Sequence, residues 1–324
     1  MINSELKFTL KEVLPKFPKD FQQKILHSVE LLRKAEKLAL AYDKENGFYL
    51  STSMGKDSQC LYHITKLAGV KFKAHMALTS VDPPEVIKFG REQYPDVDFI
   101  KPSISIYNQA RKEGILPTRL MRWCCRIYKE GIGAGKVTLI GIRHTESRQR
   151  SNRKEVEISN HKYSGTLDGL DEFREKRNSQ KRGRPTHGGV HEINITNATD
   201  EHTIGCIRGH ESLIISPIIE WTDDEVWMFL KTLGIKYCKL YDEGYHRIGC
   251  LCCPMHGYRQ KLADCKRYPH IYKSWLKVID DIHNGGKLDT FGLTNEDYFD
   301  WWISGVGIEA WRNRRKQQTL NFKD

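Results

Sequence analysis

Two groups of residues in this sequence have the types and spacing to do chemistry. The first is STSMGKDSQC, residues 51–60, in which glycine, lysine, aspartate and hydroxyls stand between a β-forming run and a helical run. Backbone amides at a helix N-terminus attract anions, and glycine lets the backbone approach a phosphate. Lysine can balance the charge of a pyrophosphate, and aspartate can hold Mg²⁺. The stretch predicts a phosphate loop, although it lacks the G-x4-G-K-[ST] pattern of a Walker A loop.

The second group consists of clustered cysteines. Cys124 and Cys125 are adjacent, and Cys250 and Cys253 have two residues between them. Adjacent cysteine side chains diverge, so they reach two irons of a cubane more easily than a single zinc ion. We therefore expect these four cysteines to hold a [4Fe–4S] cluster, with Zn²⁺ as the alternative. Cys252 could replace either neighbour as a ligand, or stay a free thiol that carries a persulfide sulfur.

The net charge and the unclustered cysteines give less specific information about partners and function. The chain has 324 residues, with 52 Lys+Arg against 41 Asp+Glu and a net charge of +11. This balance favours a polyanionic partner without choosing among DNA, RNA and free nucleotides. No signal peptide or membrane-spanning run is recognisable, so we expect a cytoplasmic protein without a membrane partner. Structural roles are expected for the unclustered cysteines, Cys60, Cys206, Cys238 and Cys265.

The pattern around the phosphate loop predicts the elements that must position it. Strands are predicted at 47–53, 70–80, 97–100 and 136–143, and helices at 20–45, 58–69 and 83–94. This alternation with short connections indicates an α/β fold with a doubly wound, mostly parallel sheet. Ligands of such sheets bind at the carboxyl ends of the strands, which is where the loop lies.

The sequence outside this pattern suggests three consecutive regions. We expect an N-terminal helical segment at 1–45, a nucleotide-binding domain at 46–255 and a helical, aromatic-rich region at 256–324. Within the domain, REKRNSQKRGRPTHGG at 174–189 is polar and very basic, and we expect it to form a mobile loop.

The phosphate loop resembles that of the PP-loop ATP pyrophosphatases, and four further stretches resemble the phosphoadenylylsulfate (PAPS) reductase-like group within them. These stretches are MRWCCRIYKEG (121–131), LIGIRHTESRQRS (139–151), ISPIIEWTDDEVWMFL (215–230) and YDEGYHRIGCLCCP (241–254). The resemblance covers about residues 45–260. It implies a Rossmann-like, adenine nucleotide alpha-hydrolase-like fold and cleavage of ATP between the α and β phosphates.

The loop and the resemblance together imply the site residues. Catalytic roles are expected for Lys56, Asp57, Arg143 and Arg148, with Asp57 also holding Mg²⁺. Arg150 is a further candidate, since a guanidinium fork matches phosphate or sulfate oxygens. The residues expected to contact ATP are Ser51, Thr52, Ser53, Gly55, Lys56, Asp57, Ser58, Gly141 and Arg143.

The choice of reaction rests on two features. The assimilatory reductases that the chain resembles use a cysteine near the C-terminus, and this sequence has none after Cys265. The run Lys56-Asp57-Ser58 favours handling of a pyrophosphate leaving group. A loop of this kind together with cluster cysteines is most similar to the ATP pyrophosphatases of DNA phosphorothioation, the DndC/SspD type.

This resemblance implies adenylation of a DNA backbone phosphate, after which sulfur displaces AMP. The implied partners are DNA, a cysteine desulfurase or other sulfur donor, and other proteins of a modification complex. The implied cofactors are ATP, Mg²⁺ and a [4Fe–4S] cluster. Three alternatives remain: a thiol-dependent reductase of APS or PAPS, a tRNA-thiolating PP-loop enzyme, and a sensor that holds the cluster without ATPase activity.

Overall fold

The computed structural model describes residues 1–130, 133–159, 163–170, 172 and 212–320. In these residues seven strands form one sheet, in the order β3-β2-β1-β4-β7-β5-β6. The strands are β1 (Phe48–Ser51), β2 (Phe72–Ala77), β3 (Asp98–Ile100), β4 (Val137–Leu139), β5 (Val156–Ile158), β6 (Tyr163–Gly165) and β7 (Leu213–Ile215). The pairs from β3 to β7 are parallel, whereas β5 is antiparallel to both β7 and β6. The predicted mostly parallel α/β fold is confirmed.

The strand order reverses direction at the centre of the sheet. Successive strands run outward from β1 through β2 to β3, and the chain then returns to place β4 on the other side of β1. Such a reversal leaves a crevice at the carboxyl ends of the two central strands. The phosphate loop follows β1 directly, so it lies at this crevice.

The chain divides into two compact units. The sheet unit comprises residues 1–77, 84–100 and 131–248, and the helical unit comprises 78–83, 101–130 and 249–324. This division differs from the three consecutive regions expected from the sequence. The N-terminal helix is part of the sheet unit, and both cysteine segments are part of the helical unit.

The helices of the sheet unit follow the predicted apolar patterns. They are α1 (Leu10–Val13), α2 (Lys19–Tyr42), α3 (Lys56–Ala68), α4 (Pro84–Gln93) and, after β7, α7 (Asp223–Thr232). Helix α2 buries Phe21, Ile25, Val29 and Leu32, a spacing of three or four residues that forms one apolar face. Helix α3 ends at Gly69, whose φ of 73° is easily adopted by glycine.

The helical unit contains the C-terminal helices and the segment that carries Cys124 and Cys125. Its helices are α5 (Ile106–Glu113), α6 (Trp123–Cys125), α8 (Tyr258–Arg267), α9 (Pro269–Asn284), α10 (Asn295–Ser304) and α11 (Ile308–Leu320), and a π-helical turn, Arg126–Glu130, follows α6. Buried Trp123 and Leu251 belong to the same apolar core as Trp275 of α9. Because they share this core, both cysteine segments belong to the helical unit rather than to the sheet unit.

The sequence also predicted a mobile loop at 174–189 and no membrane-spanning run. The basic segment 174–189 lies outside the described residues. Among the residues that the structure describes, no helix is both long enough and apolar enough to cross a membrane.

Candidate functional site

The phosphate loop connects β1 to α3 and is held together by its own hydroxyls. Ser58 Oγ donates to the Gly55 carbonyl at 2.9 Å, accepts from Thr52 Oγ1 at 3.1 Å and accepts from the Ser53 amide at 3.3 Å. Ser58 is buried, and Ser53 is exposed. The sequence suggested both serines as phosphate donors, but the Ser58 hydroxyl is used to shape the loop. Ser51 is the last residue of β1.

Close backbone approach occurs at Gly141 rather than at Gly55. A Cβ on Gly141 would lie 2.9 Å from the carbonyl oxygen of Asp57, a distance that real Cβ atoms do not adopt. Gly55 has a φ of −77°, and a Cβ there would meet its nearest atoms at 3.4 Å, an ordinary contact. The segment after β4 therefore needs a glycine in order to pass against the first turn of α3.

Two cations and two carboxylates meet at this turn, and we call them the charged site: Lys56, Asp57, Arg143 and Asp223. Lys56 Nζ lies 2.5 Å from Asp223 Oδ1 and 3.5 Å from Asp57 Oδ2. Arg143 donates from Nε to Asp57 Oδ1 at 2.5 Å and from Nη2 to Asp223 Oδ1 at 2.8 Å. The structure thus brings three of the four predicted catalytic residues together and adds Asp223.

The charged site is largely buried on its cationic side. Lys56 is 6% exposed and Arg143 is 2% exposed. Partial burial opposes ionisation of Asp223, but the hydrogen bonds and charges of Lys56 and Arg143 outweigh it and lower the pKa of that carboxyl. Burial likewise opposes the charge on Arg143, yet Asp57 and Asp223 raise its pKa. Asp223 and Arg143 are therefore both charged at neutral pH.

Tyr241 contacts the same turn from a different part of the sheet unit. The Lys56 amide donates to Tyr241 Oη at 2.8 Å, so the hydroxyl takes one of the free amides at the start of α3. Burial raises the pKa of Tyr241, and the phenol stays protonated. The hydroxyl therefore occupies an amide that an incoming phosphate would need.

Sequence reasoning missed both Tyr241 and Asp223 as site residues. Both lie in stretches that resemble the family, but neither was assigned a role; in the structure Asp223 is in the first turn of α7, whose N-cap is Thr222. The cap geometry could have suggested Asp223, because a residue in the first turn projects beyond the helix end. No local signal pointed to the Tyr241 hydroxyl.

The arginines after β4 differ in their placement. Glu146 accepts a hydrogen bond from the Arg143 amide at 3.0 Å and forms ion pairs with Arg150 and Arg247. Arg148 is exposed, and its side chain makes no hydrogen bond or ion pair within the described residues. The structure therefore links Arg150 to the charged site through Glu146, whereas it shows no such link for Arg148 among the described residues.

The four predicted cluster ligands line one cavity of the helical unit, which we call the cysteine cavity. Cys124 and Cys125 come from α6, and Cys250 and Cys253 come from the loop before α8. Val81, Ile106 and Trp275 add apolar wall. This arrangement gathers thiols from two distant segments in a largely apolar setting.

Lys129 supplies positive charge to the cysteine cavity. Its Nζ lies 3.0 Å from Cys250 Sγ. The neighbouring Cys250 sulfur raises the pKa of Lys129, so the ammonium persists. Sequence reasoning missed this lysine, although its position one helical turn after Cys125 is a readable signal.

The donor set fits an iron–sulfur cluster better than a single ion. In the described part of the chain, no three His, Cys, Asp or Glu side chains are arranged to hold one metal ion. A zinc ion would need its ligands gathered at about 2.3 Å from one point, whereas each ligand of a cubane binds a different iron. Four thiols around one cavity with an adjacent ammonium suit a cluster whose four thiolates carry negative charge.

Cys252 makes a different contact from its neighbours. Its Sγ lies 3.4 Å from Cys265 Sγ, and its amide donates to Asp264 Oδ2 at 3.0 Å. Its φ of 52° is in the left-handed region, which is unusual for a residue with a side chain. Cys265, for which the sequence predicted a structural role, is the other member of this thiol pair. Cys60 and Cys238 are buried in the sheet unit, and Cys206 lies outside the described residues.

Comparison with known proteins adds a family and several relatives. Residues 47–256, more than half of the chain, match the family model described as the phosphoadenosine phosphosulfate reductase domain. An uncharacterized protein of Methanocaldococcus jannaschii is 34% identical over 65 residues. That match covers 20% of this chain and only 16% of the relative, less than a fifth of its length.

Two further similarities extend over more of the chain. An adenosine 5′-phosphosulfate reductase of Bacillus cereus is 23% identical over 230 residues, which cover 67% of this chain and 78% of that protein. The structure of a tRNA thiolase from Methanococcus maripaludis with its [4Fe-4S] cluster is 13% identical. The superposition covers 90% of this chain and 83% of the thiolase with a TM-score of 0.38, a likeness too distant to transfer a function.

Proposed function

We propose that this chain, which belongs to the phosphoadenosine phosphosulfate reductase domain family, is an ATP pyrophosphatase. It cleaves ATP to AMP and pyrophosphate and thereby activates a DNA backbone phosphate for sulfur insertion. The observation that carries the proposal is the charged site, in which buried Lys56 and Arg143 stand side by side at the start of α3.

The charged site suits a departing pyrophosphate. The β and γ phosphates would lie at the N-terminus of α3, where backbone amides and the helix dipole favour negative charge. Lys56 and Arg143 would then stabilise the charge that grows on the leaving group as the bond to the α phosphorus breaks. Asp57 and Asp223 hold both cations at the start of α3, so the cations are already in place when a nucleotide arrives.

Asp57 and Asp223 would hold Mg²⁺. Magnesium in nucleotide sites is commonly held by one or two carboxylates together with substrate phosphates, so this pair fits. When bound, the ion would neutralise part of the phosphate charge.

The cysteine cavity would hold the [4Fe–4S] cluster through Cys124, Cys125, Cys250 and Cys253. The cluster would supply iron that can bind a sulfur species, and Lys129 would offset the negative charge of its thiolates. The contact between Cys252 and Cys265 supports assigning Cys253, rather than Cys252, as the fourth ligand.

The chemical steps balance when a thiol is supplied as the reductant. An oxygen of the DNA phosphate attacks the α phosphorus of ATP, and pyrophosphate leaves. The terminal sulfur of a persulfide, from a sulfur donor such as a cysteine desulfurase, then attacks the substrate phosphorus, and AMP leaves with the oxygen. A reduced thiol cleaves the remaining S–S bond, which frees the phosphorothioate and leaves a disulfide. A net charge of +11 supports a polyanionic substrate. The reaction would take place with other proteins of a modification complex.

The test measures pyrophosphate and AMP from ATP under anaerobic conditions, with Mg²⁺, the cluster-loaded chain, DNA, a persulfide sulfur donor and a reduced thiol. We expect Lys56→Ala to abolish both products, while the exposed-surface variant Lys34→Ala keeps wild-type rates. Absence of pyrophosphate from the wild-type protein would overturn the proposal.

The similarity to adenosine 5′-phosphosulfate reductases favours a second candidate, thiol-dependent reduction of a sulfonucleotide. An assay of the same preparation with APS or PAPS and a reduced thiol distinguishes the reductase from the ATP pyrophosphatase. Release of sulfite without any pyrophosphate from ATP would favour the reductase.

A further inference from the structure

One member of the thiol pair in the helical unit, Cys252, lines the cysteine cavity, but neither Cys252 nor Cys265 is among the four proposed ligands. Cys252 and Cys265 place their sulfurs 3.4 Å apart, close to van der Waals contact. A disulfide needs the two sulfurs at about 2.05 Å, so they must approach by little more than 1 Å, within reach of side-chain rotation.

The backbone holds this pair in register. The Cys252 amide donates to Asp264 Oδ2, and Asp264 immediately precedes Cys265 on α8. Asp264 is 1% exposed, so this anchor is protected from water. The left-handed φ of Cys252 is therefore maintained by contacts to the same helix turn that carries its partner.

We propose that Cys252 and Cys265 form a reversible intrachain disulfide, which makes the pair a redox-modified site beside the cysteine cavity. Both residues belong to the helical unit, and the bond would join the loop that carries Cys250 and Cys253 to α8. The inference does not depend on ATP cleavage or on the cluster.

The difference in burial sets the order of the two exchange steps. Cys265 is partly exposed, whereas Cys252 is only 2% exposed. The oxidant is a low-molecular-weight disulfide. The Cys265 thiolate attacks one of its sulfurs, forms a mixed disulfide and releases one thiol. The Cys252 thiolate then attacks the Cys265 sulfur, and the second thiol leaves. Two electrons pass from the protein to the small disulfide.

The test treats the full-length protein anaerobically with oxidised glutathione, blocks the remaining thiols with iodoacetamide and digests with trypsin without reduction. Cleavage after Arg247, Arg259, Lys261 and Lys266 separates the two cysteines, because one peptide spans 248–259 and the other is LADCK, 262–266. We expect a disulfide-linked pair of these peptides that disappears on reduction, with fragment ions placing the bond at Cys252.

Cysteine variants identify the two bonded residues without relying on fragment ions. Cys252→Ser and Cys265→Ser should each abolish the linked peptides, whereas Cys238→Ser, which removes a buried thiol of the sheet unit, should leave them unchanged. Recovery of Cys265 as the alkylated peptide or as a lasting glutathione adduct in the wild-type protein would overturn the proposal. So would linked peptides that survive in a folded Cys252→Ser protein.

Discussion

Arg143 Nε donates to Asp57 Oδ1 at 2.5 Å, which joins the segment after β4 to the first turn of α3. The two residues are 86 positions apart in the chain, and their contact joins the segments that follow the two central strands, β1 and β4. Four consequences of this arrangement and of the surrounding core can be measured.

Replacing Asp223 should weaken ATP cleavage. Asp223→Asn removes the carboxylate that holds Lys56 and Arg143 together. We expect pyrophosphate release to fall by about 10- to 100-fold, less than the roughly 100- to 1000-fold loss when a group that directly stabilises transition-state charge is removed. The control is Asp224→Asn, which removes a neighbouring exposed acid from the same first turn and therefore the same interaction with the helix dipole. Equal rates for the two variants would contradict the assignment.

Tyr241→Phe should tighten nucleotide binding. The change frees the Lys56 amide for a phosphate oxygen, and one hydrogen bond is worth about 0.5–1.5 kcal/mol. We expect the KM for ATP to fall about two- to tenfold with little change in kcat. Tyr237→Phe is the matched control, because its hydroxyl bonds to Asp242 instead. A higher KM or a lower kcat would mean that the Tyr241 hydroxyl itself binds the nucleotide.

Gly141→Ala should destabilise the sheet unit. The added Cβ would meet the Asp57 carbonyl at 2.9 Å, and backbone cannot yield as a flexible side chain does. We expect a loss of about 1–3 kcal/mol in the free energy of unfolding, measured with urea. Gly257→Ala adds the same methyl group where no heavy atom lies within 4 Å, and it should unfold at the wild-type midpoint.

His63 should make the protein sensitive to mild acid. Burial, with a small contribution from Lys66, lowers the pKa of His63 from its usual 6.5 to about 3. The unfolded chain therefore takes up a proton as the pH falls below about 6.5, and the folded chain does not until about pH 3. Stability is thus lost progressively across this window and amounts to about 2 kcal/mol at pH 5.

The measurement for His63 is the difference in the free energy of unfolding between pH 7 and pH 5. His63→Gln cannot be protonated, so its difference should be smaller by about 2 kcal/mol, whatever its stability at pH 7. His270→Gln changes an exposed histidine and should retain the wild-type difference. An unchanged difference in His63→Gln would contradict the prediction.

Local sequence patterns predicted the fold well because they act over short distances. The apolar spacing of α2, the glycine that ends α3 and the order of strands and helices around the phosphate loop are each determined within one element. The two cysteine pairs belong to distant segments, and their meeting in one cavity was expected from the ligand needs of a cluster rather than from a local pattern.

What the sequence did not reveal depends on contacts between distant segments. Asp223 and Tyr241 lie 167 and 185 positions after Lys56, and no local pattern states that they meet it. The thiol pair is closer in sequence, but it requires a left-handed residue at Cys252 that local propensity disfavours. The division into two units likewise follows from which apolar side chains share a core, and Trp123 and Trp275 are 152 positions apart.

The balance of charge in the charged site has a consequence for selectivity. Its two cations are each already satisfied by a carboxylate, so a simple inorganic anion gains little by entering and must displace Asp57 or Asp223. A polyphosphate that arrives with its own divalent cation meets no such obstacle, because the ion gives the two released carboxylates a new partner. We therefore expect the site to bind a nucleotide together with its divalent cation and to bind free inorganic anions only weakly.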